Sequence, residues 1–173
     1  MASKYKKTFD NKIAMNNSNF QKILQFYLFR CPVEGTSFRG VSFSKHGWSG
    51  AKQFAKLKKS LLSSSSTDLA SNYYPCKKEE LLDKFNKVST ISPVNEYCVF
   101  LKNEENTIMQ SLFSAIRNAF AHGSFSVREY TFDGHKTKVY FLVNYKKYLK
   151  AEIVLQESTL LSWIKIVEDG YSG

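Results

Sequence analysis

The sequence predicts a mainly α-helical single domain over residues 1–173, with a small antiparallel β hairpin or sheet in its C-terminal third. Three observations predict it. Apolar residues recur at helical spacing in five separate segments, which is the primary signal for amphipathic helices. Two β-rich runs flank a single Asp133-Gly134 pair, a strong hairpin signal. The chain has 173 residues, is 43% hydrophobic and holds 14 Phe and 10 Tyr, enough to fill one core. That composition excludes a disordered chain and a disulfide-stapled miniature fold.

The elements follow in chain order. Asn17 or Ser18 caps a first helix to about Phe29, with Phe20, Ile23, Leu24, Tyr27 and Leu28 on one face. Cys31-Pro32 ends it, because the residue before proline is pushed out of the helical region. Residues 33–47 contain three glycines and read as a loop or short hairpin. Ser49 to Leu62 forms a second helix with Ala51, Phe54, Leu57 and Leu61 on its apolar face and Lys52, Lys56 and Lys59 on the other. Ser63–Ser66 is a surface break. Pro75 opens a helix over Lys77–Val88, with Glu79 and Glu80 favourable in its first turn. Residues 104–123 hold the most strongly periodic segment, a long helix capped by Asn103 and stopped at Gly123. A β element fills residues 125–155: SFSVREYTF and KTKVYFLV form the hairpin, and a short third strand runs over Lys150–Leu155. A final helix spans residues 157–169, with Leu160, Leu161, Ile164 and Val167 facing inward.

The charge is strongly asymmetric. The net charge is +10, and residues 1–60, which include most of the basic N-terminal helices (1–62), carry twelve basic side chains against only Asp10 and Glu34. The remaining residues sum to zero. An excess gathered in one third of a chain suggests a docking surface for a polyanion or an acidic protein; the alternative is a basic protein with no charged partner. Lys52, Lys56 and Lys59 would track phosphates along one helix face, or form a solvated face. Phe38-Arg39, Lys45-His46 and Trp48 interleave aromatic and basic side chains, as single-stranded RNA binders do, or belong to a loop anchored by buried aromatics. Arg39, Lys45 and Trp48 are therefore candidate RNA contacts.

Other chemistries find little support. Cys31, Cys76 and Cys98 are odd in number and far apart, which fits a reducing cytoplasm and free, buried thiols. The three histidines show no ligand spacing with them, so no metal or cofactor is expected. The polar N-terminus shows no secretion signal, and the longest apolar run, Ile23 to Phe29, is too short for a membrane span.

The segment that carries chemistry is Ser114-Ala-Ile-Arg117-Asn118-Ala-Phe-Ala-His122-Gly123. At about 100° per residue, Met109, Leu112, Phe113, Ile116, Ala119 and Phe120 form one apolar arc. Arg117, Asn118 and His122 fall opposite, with Ser111, Ser114 and Ala121. Asn118 and His122 are i,i+4 neighbours, and the long Arg117 side chain can swing toward them. A guanidinium grips phosphate bidentately, and an imidazole moves protons near neutral pH. Small residues on this face would let a second helix approach, so a two-fold dimer could place two such sets around one cleft. The plain alternative is a solvated helix face whose His122 complements the helix dipole.

Arg117-Asn118-Ala-Phe-Ala-His122 resembles the Arg-x4-His motif of the HEPN superfamily (higher eukaryotes and prokaryotes nucleotide-binding). The match is sharp over residues 104–123 and architectural elsewhere. The resemblance implies a HEPN-like helical bundle and a metal-independent endoribonuclease, often a toxin or abortive-infection effector in antiphage defence. It implies a cytoplasmic homodimer paired through the motif helix, with RNA as substrate and a possible antitoxin or regulatory protein as partner. Carried over by position, His122 would transfer a proton at the ribose 2′-oxygen or the leaving 5′-oxygen. Arg117 would stabilise charge on the pentacoordinate phosphate, and Asn118 would orient phosphate or imidazole. The acidic residue that family members often carry on this helix would be Glu104 or Glu105, but these lie ~18–20 Å up the axis from Arg117 at 1.5 Å per residue. A role at the helix N-terminus suits them better. Ser124 stands where members silenced by AMP transfer carry Tyr, so that route of control is not expected. Two other readings stay open: a catalytically silent HEPN-like module that binds nucleotide or protein, and a plain basic RNA-binding protein.

Overall fold

A computed structural model describes residues 17–33, 42–92 and 94–173. The first helix, α1 (Ser18–Gln25), starts where Asn17 accepts the N–H groups of Asn19 and Phe20 at 2.9 and 3.3 Å. It runs into one π-helical turn, Phe26–Arg30, closed by the Cys31 N–H on the Phe26 carbonyl at 2.7 Å. A 3₁₀ turn (Phe43–His46) precedes α2 (Gly50–Ser63). A second 3₁₀ turn, Leu69–Asn72, leads directly into strand β1 (Tyr73–Cys76). Then come a third 3₁₀ turn (Lys78–Glu80), α3 (Leu81–Val88), β2 (Tyr97–Leu101) and α4 (Ile108–Ala121). The chain closes with β3 (Phe125–Phe132), β4 (His135–Lys146), β5 (Tyr148–Gln156) and α5 (Glu157–Asp169).

The expected helical bundle with a small hairpin is overturned by the sheet. Its five strands lie in the order β1-β2-β5-β4-β3, with β1 parallel to β2 and every other pair antiparallel. The domain is mixed α and β, and the sheet is its spine. The late hairpin exists as expected: Asp133 and Gly134 both take positive φ (48° and 77°), as a type I′ turn requires. It is, however, only one edge of the larger sheet.

Two strands are hidden in the sequence. β1 contains Pro75, which in sequence looks like the approach to a helix over 77–88. The proline is tolerated because β1 is an edge strand, paired only with β2. β2 shows no polar alternation because Tyr97, Cys98, Val99 and Phe100 are buried on both faces of the sheet. The expected helix over 77–88 is an α-helix only from Leu81.

Helices α1, α2, α4 and α5 share one core with Tyr73, Cys98, Phe100, Tyr140, Leu142 and Ile153 of the sheet. Phe113 is fully buried there, with the rings of Tyr27, Phe43 and Trp163 at 6.0, 5.5 and 6.1 Å. The opposite face of the sheet packs Leu81, Phe85 and Val88 of α3 against Tyr97, Val99 and Val154. Among the described residues no helix is long and apolar enough to cross a membrane.

Candidate phosphate-reactive site on helix α4

Helix α4 begins later than the sequence suggests. Thr107 is the N-cap, and it forms a reciprocal capping box with Gln110: Thr107 Oγ1 accepts the Gln110 N–H at 3.2 Å and Gln110 Oε1 accepts the Thr107 N–H at 2.8 Å. Asn103 instead accepts the Glu105 N–H at 3.1 Å in the turn before the helix. Glu104 and Glu105 therefore lie outside the first helical turn and do not serve its dipole.

The apolar arc is as the 100° spacing requires: Met109, Leu112, Phe113, Ile116, Ala119 and Phe120 are all buried. Ser111 departs from the polar side. It is 5% exposed, and its Oγ accepts the Asn103 N–H at 3.1 Å. Ser114, Arg117 and Asn118 are half-buried, and Ala121 and His122 are exposed.

The helix ends in a Schellman motif. Gly123 takes φ 61°, its N–H reaches the Phe120 carbonyl at 3.1 Å, and the Ser124 N–H reaches the Ala119 carbonyl at 2.8 Å. The Ser124 carbonyl then accepts the Val143 N–H at 2.9 Å, which ties the helix end to β4. His122 is thus an exposed side chain on a firmly fastened backbone.

Within this frame the Arg117 Nη1 donates to Asn118 Oδ1 at 3.0 Å, and the Asn118 carbonyl receives the His122 N–H at 3.0 Å. The Asn118 side-chain oxygen ties one guanidinium nitrogen along the helix while Arg117 Nε is buried, and His122 lies five residues on, about 140° around the axis from Arg117. The positive charge of Arg117 also reaches the Cys31 thiol. Burial pushes that thiol well above its ordinary range, and Arg117 opposes the shift. The C-terminal end of a helix repels anions, so any phosphate bound here must be drawn by the guanidinium and imidazole against the dipole. Arg117, Asn118 and His122 thus lie within the last two turns of one helix, with Asn118 bonded to Arg117 by its side chain and to His122 through the helical backbone.

The expected RNA contacts are placed unevenly. Lys52, Lys56 and Lys59 are exposed on α2, and Lys45 is exposed on the preceding 3₁₀ turn. Trp48 is 5% exposed; its Nε1 donates to the Val167 carbonyl at 3.4 Å and its ring meets Tyr171 edge-on at 5.7 Å. It anchors the turn to α5 and offers no ring face to a base. Arg39 lies outside the described residues. Beside α2, Lys58, Lys59, Leu62, Thr67 and Asp68 line an open cleft of about 540 Å³. Among the described residues no cluster of His, Cys, Asp or Glu has the makings of a metal site. Cys31, Cys76 and Cys98 are buried and form no disulfide with one another.

Two features escape sequence reasoning. Glu96 is fully buried and accepts the N–H groups of Ser66, Thr67 and Gln156 at 2.8, 3.0 and 2.9 Å, pinning the loop after α2 to β5. Its only sequence signal is a lone acid immediately before an apolar run. Tyr171, beyond the last helix, docks back on the 3₁₀ turn through its N–H on the His46 carbonyl at 2.9 Å. No protein-family model, curated protein or solved structure matches the chain.

Proposed function

We propose that the protein is a metal-independent endoribonuclease with His122 as the proton-transfer group and Arg117 as the electrostatic stabiliser of the scissile phosphate. The observation that carries this reading is the Arg117–Asn118 hydrogen bond at 3.0 Å, set one turn from the exposed His122 on a capped helix end. The sheet-based architecture does not lend support from any helical-bundle family, so the reading stands on these side chains. His122 takes the 2′-hydroxyl proton or returns one to the leaving 5′-oxygen; Arg117 meets the charge that builds on the phosphoryl oxygens. The products are a 2′,3′-cyclic phosphate and a 5′-hydroxyl, and the attacking nucleophile comes from the RNA itself. A two-fold partner copy, cytoplasmic residence and a role as a defence toxin under a regulatory protein belong to the same proposal.

The test is incubation of purified protein with total RNA in EDTA. Cleavage should survive chelation and vanish in His122→Ala and Arg117→Ala. Wild-type protein that leaves RNA intact, or variants that cut as well as wild type, would overturn the assignment. A second reading, RNA binding without cleavage, gives Arg117 a structural role, in keeping with its buried Nε and its charge acting on buried Cys31. It predicts that wild-type protein leaves RNA intact and that Arg117→Ala loses stability.

A further inference from the structure

The sequence places the whole positive excess before residue 61, but the fold redistributes it. Among the described residues, four tyrosine rings hold lysine ammonium groups over their faces. On the helical side of the sheet, Lys56 lies 4.9 Å from the Tyr171 ring centroid and Lys58 lies 5.3 Å from that of Tyr73. On the other side, Lys84 and Lys87 lie 5.6 and 4.9 Å from Tyr74. Lys78 and Lys150 lie 4.9 and 5.5 Å from Tyr148.

Two of these units share one strand. Tyr73 and Tyr74 are neighbours on edge strand β1, and successive strand side chains point to opposite faces. Tyr73 belongs to the helical core, whereas Tyr74 and Tyr148 pack on the second cluster across the sheet. The 3₁₀ turn Leu69–Asn72 packs against both α2 and β2, so it joins the α2 lysines to the β1 edge. Lys78, Lys84, Lys87 and Lys150 come from three separate elements and from the part of the chain after residue 60, whose charges cancel in sequence. Carboxylates intervene along this path: Asp83 pairs with Lys84 at 3.1 Å, Glu79 and Glu80 share the turn of Lys78, and Asp68 lines the cleft beside Lys58.

We propose that this lysine–tyrosine track, running from α2 around the β1 edge to the start of β5, binds the backbone of single-stranded RNA. A lysine over a ring keeps N–H donors free for phosphate while its long stem is already restrained, which reduces the side-chain entropy lost on binding. The path changes sheet face at β1. A duplex with a persistence length of about 150 base pairs cannot follow that turn, whereas a single strand can. Tyr73 is buried, but the half-buried Tyr74 and Tyr148 leave ring edges beside the lysines that suit bases or riboses of such a strand. The proposal rests on the RNA-substrate reading for its choice of strand and is independent of the cleavage chemistry.

Fluorescence anisotropy of a labelled oligouridylate tests it, using full-length His122→Ala protein so that the probe stays whole. Affinity is measured across a potassium chloride series. Lys78→Ala/Lys150→Ala and Lys84→Ala/Lys87→Ala should each reduce the log–log salt slope by about 1.4, because each phosphate that a single strand no longer has neutralised removes about 0.7. Tyr74→Leu and Tyr148→Leu keep the lysines, so the slope should hold while affinity falls about two- to fivefold, equivalent to about 0.5–1 kcal/mol of ring interaction. Circular dichroism confirms that each variant is folded. Unchanged slopes in both lysine pairs, no binding of oligouridylate, or equally tight binding of polyglutamate would overturn the track. Cleavage by wild-type protein is scored separately: a cutting enzyme with unchanged slopes sinks the track alone, and reduced slopes with no cutting sink the nuclease alone.

Discussion

Lys56 donates from Nζ to the Tyr171 hydroxyl at 3.1 Å while its ammonium lies 4.9 Å from the centroid of the same ring. One lysine of the basic helix is thereby shared with the tail that follows α5. The hydrogen bond and charge of Lys56 hold the Tyr171 hydroxyl below its ordinary range near 10, since both favour the phenolate. Burial does the opposite to Tyr27 and Tyr73, whose hydroxyls are pushed far up. An ultraviolet titration of tyrosinate should therefore show an early step that disappears in Tyr171→Phe and moves upward in Lys56→Ala. A Lys56→Ala titration identical to wild type would break the assignment of the shift to Lys56.

Gly170 makes that docking possible. Its φ is 78°, and a Cβ built on it would stand 2.5 Å from the His46 carbonyl oxygen, a backbone atom with little room to move. Gly170→Ala should cost about 1–3 kcal/mol through forced backbone strain. For a chain of this size each kcal/mol lowers Tm by about 2–4 °C. The same substitution should return Tyr171 to ordinary titration, because the tail is pushed away from His46. A variant as stable as wild type with Tyr171 still shifted would show that the tail docks some other way.

Glu96 offers a sharper stability test. Its side chain accepts three backbone N–H groups while fully buried. Glu96→Ala leaves those donors without their acceptor, at about 1–3 kcal/mol each where no water enters. A loss of at least about 3 kcal/mol is expected in urea unfolding, read as a lower midpoint at constant slope. Glu96→Gln retains one acceptor oxygen and should fall between. A loss under about 1 kcal/mol in Glu96→Ala would mean that the loop 64–68 is held by its other bonds.

The contrast between local and non-local signals explains what the sequence discloses. Gly123 and Asp133-Gly134 are legible because each answers a backbone demand at one position, a positive φ that few residues meet. The apolar arc of α4 is legible because its neighbours are three or four residues apart. β1 and β2 are not, since their pairing joins Tyr73 to Cys98 across a helix and a loop, and Pro75 masks the edge strand. The start of α4 is misplaced in sequence, where Asn103 reads as the cap, because the reciprocal bonds of Thr107 with Gln110 that set it are visible only in the fold. Trp48 shows the same limit at the candidate interface: an aromatic beside basic residues has one appearance in sequence whether its ring faces a base or the core.

Arg117 is where structure and chemistry compete, and its two roles make opposite demands. As a phosphate ligand it needs the planar fork that Asn118 orients; as a partner of the Cys31 surroundings it needs only charge. Arg117→Lys keeps the charge and loses the fork. On the nuclease reading, single-turnover cleavage should fall about 10²–10³-fold, the usual loss for one oriented transition-state donor, with the urea midpoint little changed. His122→Ala, an exposed change at the helix end, should abolish cleavage with a stability change below about 1 kcal/mol. Arg117→Lys protein that cuts at the wild-type rate would assign the guanidinium to the fold, because a lysine point charge cannot reproduce a bidentate grip on a phosphate whose charge is building.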